Sequence, residues 1–260
     1  MSAPGFGRRV SWALTDTLLM TKRNLMHYVR VPQLIAFAVI QPIMFTVLFV
    51  YVFGGAIDTG VSYVDFLIPG IIVQTVIFGS MQTGINIAED MQKGIMDRFR
   101  SLPIARGSVL AARTLSDVLR HGLAVFIMAG VGYLLGYRFH GLAGDAALAF
   151  LLVILVGLAF SWIAVCIGLF VRDTQTAEIA GFTWIFPFVF ASSIFVPVRT
   201  MPGWLQAFAE RSPITLAADA VRGWSLARPD FDAAIAAALW CVGIAVVFAT
   251  LAVWRFRRLT

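Results

Sequence analysis

Six long stretches without an aspartate, glutamate, lysine or arginine constrain this 260-residue chain more than any other feature. A membrane-spanning α-helix needs about 20 consecutive apolar residues, and five of the six stretches are long enough. The third has 17 residues and extends backwards, which places Arg120 and His121 in the inner half of its helix, facing protein or snorkelling. The chain is therefore predicted to be an all-α membrane protein with six transmembrane helices. The stretches are 31–57, 66–88, 121–137, 146–171, 179–198 and 233–254.

Composition excludes the common soluble classes. Hydrophobic residues make up 60% of the chain and charged residues 13%, whereas a soluble domain carries about 25% charged residues. The two cysteines, Cys166 and Cys241, lie within apolar runs, which favours inert buried thiols over a redox pair. The six helices and their loops form a single predicted transmembrane domain over residues 31–254. It lies between a cytoplasmic N-terminus, residues 1–30, and a cytoplasmic tail, residues 255–260.

The distribution of basic side chains predicts the orientation, because cytoplasmic loops are enriched in lysine and arginine. Six spans place both termini on one side of the membrane. That side holds fifteen basic residues, in residues 1–30, residues 89–120, Arg172 and the tail, and the opposite side holds five. Both termini are therefore predicted to be cytoplasmic. These flanks also explain the net charge of +6, so nucleic-acid binding is not expected.

Two regions outside the apolar stretches have distinctive patterns. Residues 8–30 alternate apolar and basic side chains, which predicts an amphipathic helix in the inner membrane interface. Residues 196–231 are apolar, contain four prolines and are too long for a simple external connection. Irregular backbone is tolerated at membrane depth only where protein covers it. We therefore expect external re-entrant or interfacial helices between spans five and six, buried against the spans.

The sequence contains none of the motifs that would give the chain its own catalytic chemistry. It has no G-x-x-x-x-G-K-[ST] loop for ATP, no H-E-x-x-H zinc motif and no G-x-S-x-G nucleophile motif. The three histidines are scattered, so no metal site is predicted. The chain is not expected to be an enzyme or to carry a cofactor.

The middles of the six stretches carry neutral polar groups, including Gln41 and Gln74, but no ionisable side chain. Hydrogen bonding between helices is the common role of such amides. The alternative is a pathway lined by amides and aromatic rings, suited to a hydrophobic substrate. Both interpretations disfavour a proton- or sodium-driven carrier, because ion-coupled transporters use intramembrane ionisable groups.

The segment 87–106 has the pattern of a short amphipathic helix. Ile87, Met91, Ile95 and Phe99 recur every four residues, and Leu102-Pro103 ends the pattern. A helix lying on the bilayer surface is one interpretation. A helix seated in a cytoplasmic partner is the other.

Five passages, in order, resemble the permease subunits of ATP-binding-cassette type 2 exporters, particularly the daunorubicin-resistance-like group. They are residues 62–70 at the start of span two, 97–104 in the cytoplasmic segment, and 191–197, 201–205 and 212–215 in the external region. The resemblance covers essentially all of residues 10–258. In the cytoplasmic segment the family's alanine pair is replaced by Asp90-Met91.

The resemblance implies an exporter half. Two six-span permeases, identical or related chains, would pair in the membrane, and two separate cassette ATPase subunits that bind ATP and magnesium would dock beneath them. The implied residues that couple to the ATPase are Glu89, Gly94, Arg98, Phe99, Arg100, Leu102 and Pro103. Candidates for a substrate path or gate are Gln41, Gln74, Phe186, Phe190 and Phe195, with Phe188 beside them. The implied external re-entrant region contains Pro197, Met201, Pro202, Trp204, Pro213 and Arg222.

The function expected from this resemblance is ATP-driven export of a hydrophobic or amphipathic substrate, such as a drug, an antibiotic or a lipid-like molecule. The expected location is the bacterial inner membrane, in contact with lipids. Export of a lipid-linked glycan is the alternative within transport. A membrane assembly or immunity protein is the alternative outside transport.

Overall fold

The computed structural model describes residues 32–94, 106–171 and 173–258, and all the regular secondary structure of these residues is helical. Helix α1, Pro32–Leu48, continues as a π-helical turn, Phe49–Phe53. The long helices are α2 (Tyr63–Gln92), α3 (Arg106–Leu134), α4 (Ala143–Val171) and α8 (Phe231–Arg258). Between α4 and α8 lie α5 (Thr174–Phe190), a 3₁₀ turn (Val198–Thr200), α6 (Gly203–Ala209) and α7 (Pro213–Ser225).

Four helices are long and apolar enough to cross a membrane: α2, the part of α3 from Thr114, α4, and α8 as far as Phe256. These helices coincide with the second, third, fourth and sixth charge-free stretches. The first stretch contains the shorter apolar helix Ile40–Phe53, and the fifth contains α5, which has 17 residues. The all-helical membrane fold is thus confirmed, whereas the number of six spans stays a prediction.

Helix α2 lies at the centre of the bundle, packed against α3, α4, α5 and α7. Its contact with α4 is close because glycines leave room for the neighbouring backbone. A Cβ atom at Gly84 would lie 2.4 Å from the carbonyl oxygen of Ala164, and one at Gly168 would lie 2.3 Å from the carbonyl oxygen of Gly84. Any side chain at these positions would push α2 and α4 apart.

The region after α5 divides into a buried and an exposed part. Helix α7 packs against α2, α4 and α8, and Ile214 and Trp224 are buried there. Helix α6 instead exposes Phe208 and 77% of Trp204. The predicted burial of this region is therefore confirmed for α7. The same prediction is wrong for α6, because a helix of 7 residues at the edge of the bundle has too few contacts to cover its aromatic side chains.

Candidate functional site

Eight phenylalanines from three helices and one turn form a continuous set of ring contacts, which we call the aromatic row. Ring centroids are 4.6 Å apart between Phe186 and Phe190, 4.9 Å between Phe190 and Phe195, and 4.4 Å between Phe195 and Phe49. Such spacings are those of favourable aromatic pairs. The row consists of Phe45, Phe49 and Phe53 of α1 and its π-helical turn, Phe78 of α2, Phe182, Phe186 and Phe190 of α5, and Phe195.

Helical periodicity explains the row locally. Side chains four residues apart lie on one face of a helix. Both α1 with its extension and α5 carry three phenylalanines at this spacing, ending at Phe53 and Phe190 respectively. Phe78 of α2 completes the row, and its ring centroid lies 5.9 Å from that of Phe182 and 6.1 Å from that of Phe186.

The structure brings together the three predicted gate phenylalanines. Phe195 is 3% exposed, whereas Phe186 is 41% exposed, so the row is buried at Phe195 and open at Phe186. Phe188 lies apart from the row, edge-on to Trp184 and Phe208 on another side of α5. The five remaining members were missed in the sequence, although the four-residue spacing of phenylalanine in α1 was a visible signal. Those members are Phe45, Phe49, Phe53, Phe78 and Phe182.

The two predicted amides lie one helical turn from members of the row. Gln41 is half-buried and precedes Phe45 by four residues, and Gln74 precedes Phe78 by four. Gln74 is 1% exposed, and its Oε1 has no hydrogen-bond partner among the described residues. Leaving a buried acceptor unpaired costs about 1–3 kcal/mol, which a donor group of a ligand would offset.

Of the residues predicted to be external, Arg222 holds the turn that carries Phe195. Arg222 is 8% exposed and donates hydrogen bonds to the backbone carbonyls of Phe66 and Ser193, each at 2.9 Å, and to the carboxylate of Asp219. Its guanidinium lies 3.7 Å from the centroid of the Phe66 ring, in cation–π geometry. Of the other predicted residues, Pro213 begins α7, and Pro197, Met201 and Pro202 flank the 3₁₀ turn and α6.

Ionisable groups lie inside the bundle where the charge-free stretches did not predict them. Thr83 Oγ1 of α2 donates to Asp117 Oδ1 of α3 at 2.8 Å. Arg120 donates to Asp117 Oδ1 at 2.9 Å, to Thr83 Oγ1 at 3.0 Å and to the Gly79 carbonyl at 2.5 Å. We call these four residues the polar junction. Arg120 was predicted to lie in the inner half of this helix. Asp117 and the partners on α2 were missed, because α3 begins well before its charge-free stretch and the partners are distant in sequence.

His121 extends this contact to a third helix. Its ring is buried, with Nε2 3.4 Å from Ser161 Oγ of α4. A Cβ atom at Gly157 would lie 2.7 Å from the His121 ring, so only glycine leaves room for it. Both His121 and Arg120 therefore face protein, as one of the two alternatives predicted.

At its C-terminal end, α2 meets the beginning of α5. Gln92 Nε2 donates to Asp173 Oδ1 at 2.8 Å, and the other carboxylate oxygen of Asp173 accepts from the backbone N–H and the hydroxyl of Thr176, capping α5. These hydrogen bonds, led by those from Thr176, lower the pKa of Asp173. Glu89 pairs with Lys93 on the exposed surface, and its hydrogen bond raises the pKa of Lys93.

Two of the predicted coupling residues lie at this end of α2. Glu89 forms the ion pair with Lys93, and Gly94 follows the helix with a φ of 63°, a left-handed conformation that favours glycine. The other predicted coupling residues lie outside the described residues. They are Arg98, Phe99, Arg100, Leu102 and Pro103.

Comparison of the sequence with known proteins identifies a family and several relatives. The family model described as ABC-2 type transporter matches residues 15–225. A daunorubicin resistance ABC transporter permease protein of Streptomyces coeruleorubidus is 35% identical over 211 residues, 81% of this chain and 75% of that protein. A probable doxorubicin resistance ABC transporter permease protein of Mycobacterium tuberculosis is 27% identical over 257 residues, 98% of this chain and 93% of that protein. A putative transport permease of Porphyra purpurea is 28% identical over 215 residues, 78% of this chain and 71% of that protein.

Proposed function

Because this chain belongs to the ABC-2 type transporter family, we propose that it is the permease subunit of an exporter for hydrophobic or amphipathic drug-like molecules. The aromatic row is the observation that supports this class of substrate. It presents eight phenylalanine rings and no charged group, with the buried amide of Gln74 one turn from Phe78. Such a surface binds apolar and aromatic molecules through ring contacts and offers one polar contact for orientation.

The names of the relatives support the same substrate class over the alternative of a lipid-linked glycan. Two relatives are named for daunorubicin or doxorubicin resistance. A glycan carrier would need hydrogen-bonding groups along the path, because a hydroxyl or phosphate placed against phenylalanine rings loses its contacts with water. The rings of the aromatic row carry no such groups, and the amides of Gln41 and Gln74 lie only at single points beside it.

In the proposed arrangement all six stretches cross the bacterial inner membrane, with α1 and α5 forming the first and fifth spans. Both termini and the 89–105 segment lie in the cytoplasm, consistent with the excess of basic residues there. The amphipathic helix predicted for residues 8–30, which are outside the described residues, belongs to the inner interface in this proposal. Helices α6 and α7 lie on the outer side, with α7 re-entrant and the exposed Trp204 of α6 in the interface, where tryptophan is enriched.

Energy for export comes from a separate cassette ATPase, present in two copies, which holds ATP and magnesium. The absence of a phosphate-binding loop from the full sequence supports this division of labour. A second permease, identical or related, completes the transport path. Residues 89–103 seat in the ATPase and transmit its movement, with Arg98, Phe99 and Arg100 as the main contacts, because arginine and aromatic residues dominate interface energies.

The central experiment is co-expression of this chain with its cassette ATPase in a drug-sensitive bacterium, followed by measurement of doxorubicin accumulation. Accumulation should fall when both subunits are present and return to the control level when the ATPase carries an inactivating substitution. Unchanged accumulation with both subunits assembled would contradict the proposed drug export.

The coupling contact has its own test in the same cells. Arg98→Glu should reduce recovery of the ATPase with the permease, whereas the matched charge reversal Arg257→Glu in the tail should leave recovery unchanged. Equal recovery with both variants would move the coupling contact away from residues 89–103, to the 172–178 loop or to residues 8–30.

A further inference from the structure

The polar junction specifies how α3 is attached to α2. The outward face of α3 is apolar and exposed, with Leu119, Leu123 and Phe126 on it. In a bilayer, apolar side chains gain little by leaving lipid for protein, so hydrogen bonds and close packing determine which helices stay together. The hydrogen bonds from Arg120 and Thr83 supply that attachment between α2 and α3.

Arg120 also reaches the part of α2 that contacts the aromatic row. Its guanidinium donates to the carbonyl of Gly79, the residue after Phe78. The Phe78 ring contacts Phe182 and Phe186 of α5. These contacts connect α3 to the backbone that carries Phe78, and through the Phe78 ring to α5.

The junction lies well inside α2, whose last residues begin the proposed coupling segment (residues 89–103), and well inside α3, which follows that segment. Thr83 lies nine residues before the end of α2 at Gln92, roughly 14 Å at the helical rise of about 1.5 Å per residue. Arg120 lies fourteen residues after the start of α3 at Arg106, roughly 21 Å on the same rise. Two helices joined this far from their ends move together, whereas separated helices would diverge when the segment between them is pushed.

We propose that Arg120, held in place by Asp117 and Thr83, transmits movement of the coupling segment through Gly79 and Phe78 to the aromatic row. Arg120 is a positioning residue in this role, because it contacts backbone and not substrate. The inference rests on the proposed function, since it assumes an ATPase that acts on the segment between α2 and α3. A purely structural role for the junction would predict a loss of stability with no change in the drug transported per ATP hydrolysed.

The test uses the permease with its ATPase in proteoliposomes and measures daunorubicin transported per ATP hydrolysed. Thr83→Val keeps the shape of threonine but removes the hydroxyl that joins Asp117 and Arg120, and Thr83→Ser keeps the hydroxyl. Couplings between sites typically correspond to roughly 5- to 150-fold effects. We expect Thr83→Val to lower the ratio about fivefold, at the low end because the Gly79 contact remains. Thr83→Ser should retain the wild-type ratio.

A second variant covers the case in which Thr83→Val fails to fold. Asp117→Asn combined with Arg120→Met removes the contact with Gly79 and leaves no unpaired charge inside the bundle. It should assemble with the ATPase and hydrolyse ATP, but transport even less drug per ATP than Thr83→Val.

A wild-type ratio in either assembled variant, beside a transporting wild type, would overturn the inference and leave the proposed function intact. If wild-type protein assembled with its ATPase transports no drug, the proposed function fails and this inference fails with it. A reduced ratio in both Thr83→Val and Thr83→Ser would also overturn it, because the hydroxyl would then not be the group that matters.

Discussion

Replacement of Arg222 by methionine is the most informative change in the region between α5 and α8, because Arg222 holds the turn that carries Phe195. Methionine keeps most of the length and apolar volume of the side chain but donates no hydrogen bond. The substitution removes the side-chain donor from the carbonyls of Phe66 and Ser193 and removes the cation from the Phe66 ring.

The expected loss in the free energy of unfolding follows from these contacts. The buried Ser193 carbonyl left unsatisfied costs about 1–3 kcal/mol, and a desolvated cation–π contact contributes about 2 kcal/mol, whereas the Phe66 carbonyl lies inside α2 and keeps its helical hydrogen bond. Asp219 is partly exposed and regains water, so it adds little. The two contributions together amount to about 3–5 kcal/mol. We expect a loss of that size in the free energy of unfolding.

Thermal unfolding of the purified permease in lipid nanodiscs measures this loss. For a chain of this size, about 3–5 kcal/mol corresponds to a fall in Tm of about 10 °C. The matched control is Arg199→Met, which removes an exposed arginine that donates to the Asp58 carbonyl and should lower Tm by no more than about 2 °C. Equal Tm values for Arg222→Met and wild type would refute the assignment of Arg222 as the anchor of this turn.

Three further predictions concern the path, the topology and the capping of α5. Phe190→Ala should reduce doxorubicin export several-fold, because it interrupts the ring contacts of the aromatic row. Phe188→Ala, outside the row, should leave export unchanged. Equal export by the two variants would show that the row is not part of the substrate path. In a background without native cysteines, Gly144→Cys, at an exposed glycine where a side chain meets nothing within 4 Å, should react with an impermeant thiol reagent from outside intact cells. Ser101→Cys should not react, and labelling of Ser101→Cys would reverse the proposed orientation. Asp173→Ala should lower thermal stability at neutral pH. The difference from wild type should vanish as the pH falls through the lowered pKa of the Asp173 carboxyl, because that group stabilises the fold only when ionised. A difference that persists in acid would show that the cap does not depend on the charge.

Features set by neighbouring residues could be predicted from the sequence. Stretches without charge predicted the long apolar helices, because a helix in lipid satisfies its own backbone hydrogen bonds and needs only apolar side chains outside. The gate candidates Phe186 and Phe190 followed from the family resemblance, and their four-residue spacing alone places them on one face of α5. The proline-rich external region was expected to contain helices, and Pro213 begins one of them.

Features that depend on contacts between distant residues were decided by the tertiary structure. The Arg222 side chain meets the Phe66 carbonyl across 156 positions, and Thr83 meets Asp117 across 34. No local period marks such partners, because they are set by how helices pack. For the same reason the sequence could not place Phe49 against Phe195, or show that α6 leaves Trp204 exposed. Local chemistry determined which segments became helices, and packing between helices decided which side chains met.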